Sequence, residues 1–227
     1  RKLTGWGEHR GITRQLNTRR INPVLTLYHA PFSRSSRIVG LIDELGIQDR
    51  VHIEPVSVPR RNGGGGRDPK NPHPEGTVPL LVDDGAMIRE STAIALYLAE
   101  LAPKAGLARP VGTPDRGPLL SWLAWYSGVL EPVIVFTLCE IEHPVLTTTF
   151  RGLPEAIDRL AMALQGQPYL MGDDYTVADL IIASTFSTLP HLMPEKPDIQ
   201  GWVARCANRP AMKRAVAYDA ELMAAMA

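Results

Sequence analysis

Two short runs of this sequence carry residue types suited to holding a small peptide. In Gly76-Thr77-Val78-Pro79-Leu80-Leu81-Val82, Pro79 lacks the N–H that a sheet ladder needs. It therefore belongs at a strand start or an edge, and Val78 before it keeps its backbone groups free. A free strand edge can pair with an extended peptide. Asp83-Asp84-Gly85 then turns the chain, because Asp-Gly between apolar runs favours a two-residue hairpin turn that needs positive φ. Behind the second strand, Glu90-Ser91 opens an apolar-periodic helix and brings a carboxylate, a hydroxyl and unpaired N–H groups together. Such a place suits an amino acid zwitterion. A third run, His29-Ala30-Pro31-Phe32-Ser33-Arg34-Ser35-Ser36-Arg37, sets serine hydroxyls at the start of an expected helix. Taken alone, Ser33 reads as an N-cap.

Together these runs resemble the glutathione-binding half of a cytosolic glutathione transferase, of the bacterial kind with a serine-type active-site loop. In that family a Val-Pro with a cis bond pairs its backbone with the cysteinyl part of glutathione, and a Glu/Gln-Ser pair holds the γ-glutamyl end. Val24-Leu25-Thr26-Leu27-Tyr28 reads as the first strand, leading into a loop where a Ser two residues after the Pro meets the glutathione sulfur. Downstream, Gly172-Asp173-Asp174-Tyr175-Thr176-Val177-Ala178-Asp179-Leu180 resembles the capping box of the family's buried C-terminal helix. Trp202 with Arg209-Pro210-Ala211 is similar to the ending of many bacterial members, so the resemblance covers about residues 24–218.

The resemblance implies Ser33 as the catalytic residue, and Val78, Pro79, Glu90, Ser91 and His73 as glutathione-binding residues, with the Val78-Pro79 bond cis. A thiol has a pKa near ~8.5, so little of it is thiolate at neutral pH. A hydroxyl donating to the sulfur favours the charged form, and the positive N-terminus of the following helix acts in the same direction. Ser35 and Ser36 rival Ser33 for this role. His73, Lys70, Arg60 and Arg61 all lie in the segment that approaches the glycine carboxylate in relatives, and which of them meets it stays open. A hydrophobic electrophile is expected between the domains, near Phe32, Arg34 and the helix face of Trp122, Trp125 and Tyr126. Only one or two of those aromatic residues are expected to touch it. Glutathione enters as a substrate, no metal is implied, and the six histidines show no catalytic clustering along the chain.

The elements that must position these residues follow from pattern. The first half alternates strand-like and helix-like runs, the mark of an α/β layer, here of thioredoxin-like type as the resemblance implies. A helix is expected from about Ser35 to Leu45, closed by Gly46, and a second strand from Val51 to Val56. Pro59 to Glu75, with its glycine run and prolines, should form no regular helix and reads as a loop over the peptide site. Residues 23–102 are thus expected to form the glutathione-binding domain, 103–113 a Pro/Gly-rich linker and 114–227 an all-helical domain. Within the latter, Pro132 should kink or end the helix that begins near Leu119. Residues 1–22 read as a basic N-terminal extension, poorly ordered and without the apolar core of a secretory signal.

Composition narrows the function classes. With 24 basic and 24 acidic residues, the net charge gives no reason to expect nucleic acid or an anionic membrane as partner. The two cysteines, Cys139 and Cys206, are too few for a disulfide framework and lack metal-ligand spacing, which fits a reduced, cytoplasmic setting. No apolar run is expected to reach the ~18 residues that a membrane span needs. The expected activity is conjugation of glutathione to electrophilic small molecules in detoxification, with reduction of organic hydroperoxides as a further capacity. The resemblance also implies a two-fold homodimer. The rivals are a transferase-like binding module without turnover and a glutathione-dependent thiol-disulfide reductase. The last needs a protein thiolate at the loop, where no Cys stands.

Overall fold

A computed structural model of the chain describes residues 25–60 and 62–226. The expectation for residues 1–22, and Arg61 among the candidate cations, lie outside the described residues. The first half is a four-stranded mixed sheet in the order β2-β1-β3-β4, with β1 Leu25–His29, β2 Val51–Pro55, β3 Leu80–Asp83 and β4 Ala86–Ile88. Strand β1 runs parallel to β2 and antiparallel to β3. The parallel pair requires a crossover, supplied by helix α1 (Ser36–Glu44). Helix α2 (Ser91–Leu101) follows β4, completing the thioredoxin-like layer anticipated from the sequence.

Period-two alternation sets β1 with Leu25, Leu27 and His29 on one buried face. Gly46 takes φ +65° after α1, the left-handed stop expected there. Asp84 and Gly85, at φ +48° and +80°, make the hairpin turn between β3 and β4. The segment from Pro59 to Glu75 contains no helix or strand among its described residues.

The second half is helical: α3 Arg116–Trp125, α4 Glu131–Leu138, α5 Pro144–Phe150, α6 Leu153–Ala163, α7 Val177–Thr188, α8 Pro197–Ala207 and α9 Pro210–Met226. Pro132 neither ends nor breaks the helix it sits in. A five-residue π segment, Tyr126–Leu130, joins α3 to α4 immediately before it. The wider turn absorbs the missing N–H and the ring's clash with the preceding turn. The result corrects the expectation about apolar length, because Arg116–Leu138 is one continuous helix of 23 residues, apolar enough by composition to cross a membrane. Its buried side chains, Leu119, Leu123, Tyr126, Leu130, Val133 and Ile134, belong instead to the protein's core.

Helix α7 is buried along nearly its whole length, as its all-round apolar sequence predicts. Asp179 in its first turn is fully buried. It accepts hydrogen bonds from the Thr176 N–H and hydroxyl, both 2.9 Å, from the Leu170 N–H at 2.8 Å and from Trp202 Nε1 at 3.0 Å. The capping acid thus also ties α7 to α8 and to the turn before α7.

Helix α9 returns to the first half and packs along α1. Arg209 grips Glu44 in a two-pronged pair at 2.7 and 2.8 Å, and Arg214 reaches Asp43 at 2.6 Å. Gly40 lets the helices approach closely, since a Cβ there would stand 2.5 Å from Met212 Sδ.

Candidate active site

Sheet register brings three loops to one end of the molecule. Tyr28 near the end of β1 pairs with Leu80 at the start of β3, and Leu81 pairs with Ile88 at the end of β4. The serine loop after β1, the Val78-Pro79 bond before β3 and the Glu90-Ser91 start of α2 therefore share an edge. Helices α1 and α2 both begin there, so both positive helix ends face the same space.

The Val78-Pro79 peptide is cis. Val78 is half-buried, and no hydrogen bond among the described residues uses its N–H or carbonyl. Glu90 is exposed at φ +67°, a left-handed conformation that costs a non-glycine residue free energy and recurs at functional sites. Its carboxylate makes no hydrogen bond or ion pair within the described residues. Ser91 is buried and accepts from Arg37 Nη2 at 3.2 Å.

Ser33 is half-buried. Its Oγ donates to the Ala30 carbonyl at 2.7 Å, accepts from the Ser35 N–H at 3.1 Å and lies 2.7 Å from Ser35 Oγ. Ser35 is fully buried and turns its hydroxyl to His29 Nδ1, 2.7 Å away. Ser36 instead donates to Asp219 of α9, whose Oδ2 also takes the Phe32 N–H at 2.7 Å. Across the ring, His29 Nε2 faces Asp219 Oδ1 at 3.0 Å, off the line of the ring N–H, a close polar contact rather than a straight hydrogen bond. Burial raises the Asp219 carboxyl, but His29, Ser36 and the Phe32 N–H together outweigh it and hold the group below the usual carboxylate range.

Phe32 is 53% exposed at φ +52°. Arg34 is paired with Glu131 of α4, and that carboxylate also accepts from Tyr126 OH at 3.3 Å. The Tyr126 hydroxyl in turn takes Arg37 Nη1 at 2.9 Å. Arg37 is buried, has an unpartnered Nε and lacks a carboxylate partner among the described residues. Of the aromatic stripe, only Tyr126 is brought to the loop. Trp122 and Trp125 pack edge to face, with Arg159 of α6 stacked on both at 5.0 and 4.6 Å, inside the helical half. Helical spacing alone does not separate a lining face from a core face.

Among the candidate cations, Arg60 lies across the serine loop, donating to the Pro31 carbonyl at 2.8 Å and to that of Phe32 at 3.4 Å. Lys70 is exposed beside Glu54 at 3.8 Å. His73 is buried and spent within its own loop, where Nδ1 accepts from the Glu75 N–H at 3.1 Å and Nε2 lies 3.2 Å from the Thr77 hydroxyl. Two surface hollows lie elsewhere on the helical half, one lined by Leu164, Gln167 and Arg205, the other by Phe136, Ile141 and Phe150. No group of three or more His, Cys, Asp or Glu residues placed to hold a metal occurs among the described residues.

The sequence reading missed His29 and Asp219. His29 alternates in phase with Leu25 and Leu27, which marks it only as buried. Asp219 follows Ala211 and Ala215 at four-residue steps on the buried face of α9, an acid on an apolar stripe. Only the docking of α9 on α1 joins the two.

Comparison with known proteins agrees with this geometry. Residues 27–106 match the Glutathione S-transferase N-terminal domain, and residues 118–210 match the Glutathione S-transferase C-terminal domain. A glutathione transferase structure from Methylococcus capsulatus is 30% identical, with TM-score 0.71 over 87% of this chain and 99% of that one. A theta class glutathione S-transferase from Xanthomonas axonopodis pv. citri, solved with glutathione bound, is 26% identical, with TM-score 0.65 over 86% of this chain and 97% of that one. The disulfide-bond oxidoreductase YfcG of Escherichia coli is 28% identical over 85% of this chain and 94% of its own length. Other matches to curated relatives cover as little as 63% of the relative's length.

Proposed function

Because the chain belongs to the glutathione S-transferase family, we propose that it binds glutathione across the loop end of its sheet and transfers it to electrophilic small molecules. The observation that carries this reading is the convergence at one sheet end of a Val78 backbone that is unpaired among the described residues, the Ser33 hydroxyl and the Glu90-Ser91 helix start. Val78 pairs with the cysteinyl unit, and Glu90 and Ser91 hold the γ-glutamyl end. The buried Arg37 guanidinium donates to the Ser91 hydroxyl, so a carboxylate bound there would offset a charge that has no carboxylate partner among the described residues. Ser33 donates to the sulfur and favours the thiolate.

The electrophile enters beside exposed Phe32, between the Arg34–Glu131 pair and Tyr126; Trp122 and Trp125 are left to the core. Arg60 is the best-placed cation for the glycine carboxylate, and His73 serves its own loop. Reduction of organic hydroperoxides, a cytoplasmic role in detoxification and a homodimer accompany this reading. The Escherichia coli relative favours a second reading, reduction of disulfides by the same bound thiolate. The serine loop supplies no protein thiol, so glutathione sulfurs alone would carry that exchange. Rates on a panel of electrophiles, hydroperoxides and small disulfides, measured beside glutathione affinity, separate the readings. Tight binding without turnover on any of them would mark a binding module.

Glu90→Ala is expected to raise the glutathione KM about tenfold to a hundredfold, with little change in kcat. The contact is remote from the sulfur and equal in ground and transition states. Neither residue is glycine, so the positive-φ strain is carried by both proteins. Initial rates against glutathione concentration check this, and an unchanged KM removes Glu90 from the site.

A further inference from the structure

Resting on the reading of Ser33 as the group beside the glutathione sulfur, we infer that His29, backed by Asp219, takes up the thiol proton through Ser35 and Ser33. The four groups stand in file. Ser33 Oγ to Ser35 Oγ is 2.7 Å, Ser35 Oγ to His29 Nδ1 is 2.7 Å, and His29 Nε2 to Asp219 Oδ1 is 3.0 Å. Ser35, His29 and Asp219 are no more than 1% exposed, so Ser33 is the link that opens toward the peptide site. The three buried members come from different parts of the fold: His29 from the end of β1, Ser35 from the N-cap of α1 and Asp219 from the third turn of α9. Ser35 stands at the N-cap yet gives its side chain to the histidine, with no hydrogen bond to a first-turn amide.

Charge sets the direction of transfer. The ionised Asp219 favours a proton on Nε2, which leaves Nδ1 of the neutral ring to accept from the Ser35 hydroxyl. As the thiol ionises, the Ser33 hydroxyl turns its proton from the Ala30 carbonyl to Ser35 Oγ; the thiol proton passes to Ser33 Oγ, the Ser33 proton to Ser35 Oγ, and the Ser35 proton to Nδ1. One S–H bond breaks and one N–H bond forms; each hydroxyl keeps one proton, and no electrons change hands. Ser33 is left donating to the thiolate, and the imidazolium is held against the Asp219 carboxylate. Without that carboxylate a buried imidazolium is strongly disfavoured.

The remaining titratable neighbours do not compete. Tyr218 of α9 lies 6.0 Å from the His29 ring, centre to centre, and burial and Asp219 push its phenol up, so it stays neutral. On β2, Glu54 pairs with His52 and Lys70 at the surface. Arg37 of α1 is bonded to Tyr126, Ile181 and Ser91, and Arg60 ends on loop carbonyls. His29 is therefore a positioning residue that acts through two hydroxyls.

The test follows thiolate absorbance of the bound glutathione against pH, with S-methylglutathione, which has no thiol, as the measure of binding alone. Asp219→Asn and His29→Gln are each expected to raise the thiol midpoint by about one unit or more, a tenfold or greater loss of thiolate at fixed pH, while S-methylglutathione still binds. A purely structural tie between α9 and the loop would leave the midpoint unmoved, and that result overturns the proposal. Should neither variant fold, the wild-type protein decides. Calorimetry in buffers of different ionisation enthalpy counts protons released on binding glutathione, less those released on binding S-methylglutathione. A count well below one per thiolate formed places the proton on the protein, whereas about one per thiolate sends it to solvent and overturns the relay. Failure of S-methylglutathione to bind the wild type would instead defeat the underlying reading of the site.

Discussion

Ser33→Ala is expected to lower kcat/KM for glutathione conjugation at neutral pH by up to about 10²-fold, with partial recovery in alkali. The hydroxyl oxygen is held by the Ser35 N–H at 3.1 Å, and its single proton, which rests on the Ala30 carbonyl at 2.7 Å, turns to the thiolate as the sulfur charge develops. Removing it raises the thiol pKa, and a higher pH restores the thiolate that the protein no longer stabilises. Affinity for S-methylglutathione should change little. A water taking the vacated place would reduce the loss without moving its sign. Paired pH–rate profiles and thiolate titrations check the claim, and an unshifted titration would pass the role to a neighbour. Ser35→Ala separates two accounts of the loop. A lone Ser33 donor predicts almost no effect on the midpoint, and a relay through Ser35 to His29 predicts a shift of the same sign as Ser33→Ala.

Asp179→Ala is expected to cost on the order of 3–5 kcal/mol of stability, lowering Tm by roughly 10 °C. The substitution leaves the Thr176 N–H, the Leu170 N–H and Trp202 Nε1 without an acceptor in a site closed to water. It also leaves a cavity beneath a fully buried tryptophan. Burial raises the Asp179 pKa above 3.8, more than its hydrogen bonds lower it. The carboxyl's titration therefore contributes stability that is full below about 3.8 and lost as pH rises through the higher folded value. The gap between wild type and Asp179→Ala should accordingly widen as pH falls from neutral into that window. Thermal melts of both proteins across the acid range test this, and a gap independent of pH would contradict the assigned shift.

Local chemistry explains what could be read in advance. Pro79 announces a strand start because it lacks a donor, Asp84-Gly85 announces a hairpin because glycine accepts positive φ, and Thr176 with Asp179 announces a helix start because the two side chains meet the first free amides. Each signal lies within a few residues. The alternation of strands and helices in the first half and the helical second half were legible for that reason, whereas the thioredoxin-like type and the grouping of three runs at one peptide site came from the family resemblance. The stripe of Trp122, Trp125 and Tyr126 was legible only as a buried face. Whether that face met Arg159 or the serine loop depended on where α6 packed.

The sequence by itself marked a strand start at Pro79, a hairpin turn at Asp84-Gly85 and helix starts near residues 33 and 90, since proline, glycine and capping chemistry act over short distances along the chain; the resemblance made residues 33, 78, 90 and 91 candidates for one site. Tertiary structure alone decided that His29 and Asp219, 190 residues apart, would stand 3.0 Å from each other behind Ser35. That contact depends on α9 lying against α1, held by the Arg209–Glu44 and Arg214–Asp43 pairs and by the close approach at Gly40. A hydrophobic stripe specifies which face of a helix is buried but not which partner buries it, so a histidine and an aspartate read as isolated polar residues until the packing sets them side by side.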